Sequence, residues 1–427
     1  MYARARHAKR TRRQVEGVVR IPSRKLEYAY YVAVIYSVMG TAVGLDIPVV
    51  GGLMLLVISA TCIWQFRSSF KAVYGPIALL LACATSFFFI QIFVHGQNIM
   101  DSNIRGFITW VFGLIIVQSL CLRQGFCLRF PLVLFGIGAS TLPFVGFNPA
   151  AAPGGVEMAR VDMAVQGLLT HPAGLADWFA FCAVFFTVFG IEARRGSFRI
   201  GAWSLAVVCL FVVTLTVERG PLLGAVLAIT VGFRRALKRS FAPVLALVIF
   251  VGVIAVTGLF EQALSKYAER GVEETGRETL WPMAVDRFLT SPLVGVGESN
   301  IFLPMSSKQV PPHNAFLHFA LSSGVIPLAF FLAFWIQAAR KSVFHTRGSE
   351  GDPFRLPYLV YTLSMLMIGD LGFMNYGALL TTSLAAGLVI PYGEMRPRAT
   401  VPARARPLVR VRRSRSRPVP TIARSRF

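Results

Sequence analysis

The feature that most restricts this chain is a succession of apolar runs, each close to the roughly 20 residues that an α-helix needs to cross a hydrocarbon core. About twelve can be marked, at 28–45, 47–65, 73–94, 104–122, 130–147, 175–191, 200–217, 221–233, 241–260, 315–338, 356–369 and 376–391. The runs are continuous rather than alternating. They therefore fit helices, whose backbone groups are satisfied internally, and not barrel strands. With 55% hydrophobic and 15% charged residues and a mean hydropathy of +0.61, an ordinary soluble enzyme is excluded. The fold class expected is all-α, a polytopic integral membrane bundle of about 12 transmembrane helices.

Basic residues decide its orientation. Placing the N-terminus in the cytoplasm gives the cytoplasmic loops a net charge of +12 and the opposite loops −6, with +7 on residues 1–27 and +10 on residues 392–427. No loop then breaks the positive-inside rule, and the even number of spans puts both tails in the cytoplasm. The organisation expected is a basic tail (1–27), nine spans (28–260), a long outer loop (261–314), three spans (315–391) and an Arg-rich disordered tail (392–427). The first run is long enough to span and is followed at once by another, so the N-terminus reads as an uncleaved signal-anchor. Attached to so many spans, the Arg-rich tails read as topology determinants on anionic lipid headgroups, and no nucleic-acid partner is expected. Cys62, Cys83, Cys182 and Cys209 fall inside spans and Cys121 and Cys127 at the cytoplasmic face, so neither an outer-loop disulfide nor a metal-ligand spacing is expected.

Ionisable residues are sparse within the spans, which disfavours an ion-coupled transporter. The polar residues gather in outer segments instead. In TVERGPLLGAVLAI, Arg219 stands where one span ends and Pro221 opens the next. A helix N-terminus presents unpaired N–H groups, so Arg219 beside it can form an anion site at headgroup depth. It can equally pair with Glu218 or snorkel to lipid phosphate. In GRETLWPMAVDRFLTSPLVGVGESN, Leu280, Ala284 and Phe288 share one helical stripe and Trp281, Val285 and Leu289 another, predicting an amphipathic helix with Pro282 in its first turn and Arg277 just before it. The SPLVGVG stretch reads as a tight turn in which Gly295 and Gly297 let backbones approach closely. In PPHNAFLHFALSSGVIPLAFF, His313 and Asn314 stand at the mouth of the next span. Imidazole changes charge nearest neutral pH, so His313 can act as a general base, or the pair can simply cap the helix. His318 is expected to pack or hydrogen-bond within the bundle.

Taken in order, the E-R-G-P turn, G-R-x-x-x-W with S-P-L-x-G-V-G in one outer loop, and P-H-N-x-x-L-x-x-x-L-x-x-x-G resemble the O-antigen ligase and polysaccharide polymerase superfamily over residues 200–340. The resemblance implies a lipid-donor (GT-C-like) glycosyltransferase architecture in the bacterial inner membrane, with its active site facing the periplasm. The donor implied is a glycan on undecaprenyl pyrophosphate, and the acceptor is lipid A-core for a ligase or another lipid-linked repeat unit for a polymerase. Neither cofactor nor metal is implied. Arg219, Arg277 and His313 match the family's catalytic residues, and Glu218, Asn314 and Trp281 become candidates for substrate binding. Glu218 departs from the small hydroxyl residue that many relatives carry there. It can neutralise Arg219 or share the base role. The rival from another class is a polytopic transporter or flippase.

Overall fold

The computed structural model describes residues 23–39, 48–66, 70–98, 102–120, 125–147, 161–163, 172–193, 195–237, 277–305, 308–345 and 353–368. The runs 241–260 and 376–391, both basic tails except residues 23–27, and most of 148–174 and 261–276 lie outside the described residues.

Helices dominate what is described. In chain order they are α1 (Arg24–Met39), α2 (Pro48–Phe66), α3 (Phe70–Phe89), α4 (Ser102–Leu120), α5 (Phe126–Thr141), α6 (Pro172–Glu192), α7 (Gly196–Leu215), α8 (Arg219–Leu237), α9 (Arg277–Thr290), α10 (Ala315–Ser323), α11 (Val325–His345) and α12 (Arg355–Ile368). Two short antiparallel ribbons accompany them, β1 (Val145–Phe147) with β2 (Val161–Met163) and β3 (Leu303–Met305) with β4 (Lys308–Val310). The segments Ala173–Glu192 and Gly196–Leu215 are each long and apolar enough to cross a membrane, and five shorter apolar helices join them among the described residues.

Helix α6 is apolar all round, which only a surrounded helix tolerates. It accordingly packs against α5, α7 and α8, with Trp178, Phe179, Phe181 and Phe185 buried. α8 continues the layer to α12, while α3 lies on α11 and α2 on α4. The outward faces are apolar as well: Trp64 is 71% exposed and Phe93 74%. Such faces suit lipid rather than water.

At one end of the bundle the Arg129 guanidinium donates from Nε and Nη2 to the two Glu27 oxygens at 2.7 and 2.8 Å, tying α5 to α1. The Tyr31 hydroxyl adds a 2.6 Å bond to the same carboxylate. Two-pronged, charge-assisted bonding of this kind fixes both distance and angle.

Three expectations about element boundaries need correction. The run 130–147 is helical only to Thr141, because Pro143 follows, and the chain passes through a 3-10 turn (Leu142–Phe144) into β1. Arg277 opens α9 instead of preceding it, which puts Pro282 in the second turn, inside the helix. The run 315–338 is two helices, broken at Gly324 with φ +77°.

The break is filled by the loop after α9. Val325 donates its N–H to Pro292 O at 2.9 Å, and Val296 and Gly297 donate theirs to the final carbonyls of α10, Leu321 O and Ser322 O, at 2.6 and 3.2 Å. Backbone groups orphaned by the interruption thus find partners in a second backbone. The contact leaves no room for side chains: a Cβ on Gly324 would strike the Leu293 carbonyl, and one on Gly295 (φ +69°) the Leu321 carbonyl.

Gly324→Ala should therefore lower the thermal unfolding midpoint in detergent sharply or prevent folded protein from accumulating, since the positive-φ, extended-ψ backbone there, essentially confined to glycine, alone costs about 1–3 kcal/mol before the clash. Gly52→Ala, where a Cβ meets open space, should leave the midpoint unchanged. Equal behaviour of the two variants in a melting assay would contradict this account.

Candidate functional site

Helix α9 sits at the end of the bundle where α12 finishes. Arg277, its first residue, donates from Nη2 to the carbonyl of Ile368, the last residue of α12, at 2.8 Å. Carbonyls in a last helical turn lack intrahelical partners and carry the negative end of the helix dipole, so a guanidinium is well placed there. One turn further along α9, Trp281 donates its indole N–H to Pro312 O at 3.1 Å. Leu280 and Ala284, on the buried stripe, close over Ile301, Leu303 and Leu321, whereas Val285 and Leu289 face outward.

Asn314 is the N-cap of α10. Its Oδ1 accepts from Phe316 N and Leu317 N at 2.9 and 3.2 Å, and its Nδ2 donates to Met367 O at 3.4 Å. The capping role weighed from sequence is thus met by Asn314 itself. His313, just before it, has φ +48°, a left-handed backbone held between the anchored Pro312 carbonyl and the Asn314 cap.

The third segment is the turn from α7 to α8. Thr216 Oγ1 donates to Val213 O at 2.6 Å, Val217 adopts φ +56°, and Glu218 and Arg219 follow, with Arg219 opening α8. For a β-branched residue this is a strained conformation. Val217 and His313 are the only non-glycine residues with positive φ among the described residues, and they occupy the two motif turns. Gly220 lies so close to α12 that a Cβ there would stand 3.1 Å from Ile368 Cγ2. Glu218 is also near enough to Asp177 for the two carboxylates to interact; Asp177 accepts the Tyr361 hydroxyl at 2.8 Å.

All three motif segments therefore meet at Met367–Ile368. Gly220 packs on Ile368, Arg277 bonds its carbonyl, and Asn314 bonds that of Met367. Beside this point opens a mainly apolar cleft of about 990 Å³ lined by Arg277, Trp281, Asn314, Leu317, Leu332 and Met367 among others. Of the six residues singled out from sequence, Arg277, Trp281 and Asn314 line the cleft, while His313, Arg219 and Glu218 lie outside its lining. No group of three His, Cys, Asp or Glu side chains among the described residues is arranged to hold a metal ion.

Sequence reading missed how this site is supported. His318 does bond within the bundle, but its partner is Glu298: Nε2 lies 2.9 and 3.1 Å from the two carboxylate oxygens, and both residues are buried. Glu298 is held in turn by Gln91, whose Oε1 accepts the Glu298 N–H at 3.0 Å while Nε2 donates to Ser322 O at 2.7 Å. A lone amide within the apolar run FFFIQIFV was the available signal.

No curated protein matches the chain. Residues 178–332, from α6 into α11 and including all three motif segments, match the family model of the O-antigen ligase family. The match is to this segment, somewhat more than a third of the chain, and it supports an O-antigen ligase or polymerase type of membrane enzyme.

Proposed function

We propose that this protein is an O-antigen ligase-type glycosyltransferase of the bacterial inner membrane, moving a glycan from undecaprenyl pyrophosphate to a hydroxyl of lipid A-core at the periplasmic face. The observation that carries the reading is the meeting of the three motif segments at Met367–Ile368, with backbone strain at Val217 and His313. Strained conformations persist where surrounding structure over-determines them, commonly at sites that do chemistry.

In this mechanism Arg219 and Arg277 hold the pyrophosphate. Their planar, multidentate guanidinium groups stabilise the charge that grows on the departing phosphate, the work a metal ion does in other transferases. His313 takes the proton of the acceptor hydroxyl as its oxygen bonds to the anomeric carbon. The bond from that carbon to the pyrophosphate breaks on the opposite face, giving inversion and releasing the carrier as undecaprenyl pyrophosphate. Trp281 and Asn314 shape the cleft beside the reacting groups. Glu218 tempers the charge of Arg219 and offers an acceptor to sugar hydroxyls.

The test is complementation of a deletion strain by wild type, Arg219→Ala and His313→Ala, reading surface polysaccharide and carrier-linked glycan on gels. Long glycan stranded on its carrier in both variants is the expected result. Accumulation of single repeat units would make the enzyme a polymerase, and unchanged glycan in all three complemented strains would favour a transporter.

Three further outcomes are expected in vitro. Arg277→Ala should slow transfer by at least about a hundredfold, the scale of losing one charge-stabilising donor. Arg277→Lys should recover little, because an ammonium lacks the two-pronged geometry. Transfer should also continue under strong chelation, whereas a loss reversed by Mg²⁺ would rule out the guanidinium-only mechanism.

A further inference from the structure

Helix α10 has nine residues, too few to be stable alone, so its position must come from what grips it. Its C-terminal carbonyls are held by the loop at 295–297. Its first turn carries the Asn314 cap, and the Asn314 carbonyl accepts the His318 N–H at 2.9 Å. His318 is thus bonded to the residue after His313 through its backbone and to Glu298 through its ring.

We infer that the buried Glu298–His318 pair, braced by Gln91, is a positioning device that sets α10 so that His313 is presented at the site in its left-handed conformation. The inference rests on the role proposed for His313. Glu298 begins a 3-10 turn (Glu298–Asn300) that leads into Ile301 and Leu303, the residues on which α9 packs through Leu280 and Ala284. The same carboxylate therefore refers α10 to the helix that carries Arg277 and Trp281. Gln91 adds a third reference, because it lies in a π-helical turn (Ile90–Val94) at the end of α3 and bonds both the Glu298 N–H and the Ser322 carbonyl.

Packing alone does not call for such a pair. Burying two ionisable groups is costly, and apolar residues of similar volume often serve stability equally well or better. What apolar residues do not supply is direction: one ring nitrogen between two carboxylate oxygens fixes the rotation of α10 about its axis, and with it the turn that ends at His313. Arg219 and Arg277 stand on α8 and α9 and His313 at the entry to α10, so a change in the rotation of α10 falls chiefly on the chemical step.

The experiment compares full-length wild type, Glu298→Gln, Glu298→Ala, the double variant Glu298→Leu/His318→Phe, and His313→Ala in lipid nanodiscs. Donor and acceptor are undecaprenyl pyrophosphate-linked glycan and lipid A-core extracted from the deletion strain. Glu298→Ala and the apolar double variant should lose at least about tenfold in kcat, as misplacement of a reacting group does, with donor KM little changed; the double variant should keep the wild-type thermal midpoint, whereas Glu298→Ala, which leaves His318 buried without its carboxylate, should lower it. Glu298→Gln, which keeps an oxygen for the ring N–H, should stay within about threefold of wild type, well short of what misplacement costs. Wild-type kcat in the apolar double variant overturns the inference, as does Glu298→Gln being as slow as Glu298→Ala. Should the double variant fail to fold, the two single variants decide between these outcomes. An inactive His313→Ala beside a fully active apolar double variant refutes the positioning role alone. A fully active His313→Ala refutes the proposed base and the inference together.

Discussion

An interrupted helix in apolar surroundings must find hydrogen-bond partners for the groups it orphans, and the break at Gly324 is where this protein meets that demand. The loop at 292–297 supplies the partners by running its own backbone against the end of α10 and the start of α11. The rest of the site follows from that contact. The loop begins where α9 ends, so docking it fixes α9 over the bundle, and Arg277 reaches the end of α12 from there. Its far side delivers Glu298 to His318 and the β3–β4 ribbon toward Pro312 and His313. A continuous helix over 315–338 would need none of these partners and would leave the loop without a docking edge.

Charge is distributed with the same economy. Arg277 lies at the carbonyl end of α12, Arg219 at the amino end of α8, and these two ends face the same pair of residues. One cation is supported by a helix terminus and the other adds to the positive end of a dipole. An arginine at a helix N-terminus is unfavourable for stability and adds to the positive potential there. Glu218, which precedes Arg219, lies near enough to Asp177 for the two carboxylates to interact.

Much of this was legible in the sequence, for reasons that particular residues make plain. Apolar length located α2, α4, α6 and α7 within a few residues, because in these segments the helix is the whole signal. The two stripes on α9 were readable, and Leu280 and Ala284 prove to be the buried one. Gly295 and Gly297 announced the close approach, although not its partner. The helix break was hidden because Ser-Ser-Gly inside an apolar run is tolerated by continuous helices, and only the loop's docking decides the matter. β1 was hidden because Val-Gly-Phe at the end of a run has no distinguishing period. The Gln91–Glu298–His318 chain spans more than 200 residues of sequence, and no local pattern encodes it. Sequence thus singled out Arg277, Trp281 and Asn314, which line the cleft, while the supporting structure arises from contacts between distant segments.

The π-helical turn at Ile90–Val94 makes the brace sensitive to chain length. Such a turn accommodates one residue more than the α-helical path, and each residue rotates the chain by about 100°. Deleting a single residue there would restore regular α-helix and remove the turn that carries Gln91 and leads to His95 and Gln97, which now meet Val294 and Ser299. The length of the chain at this point, far in sequence from the loop it braces, thus sets which side chains reach that loop.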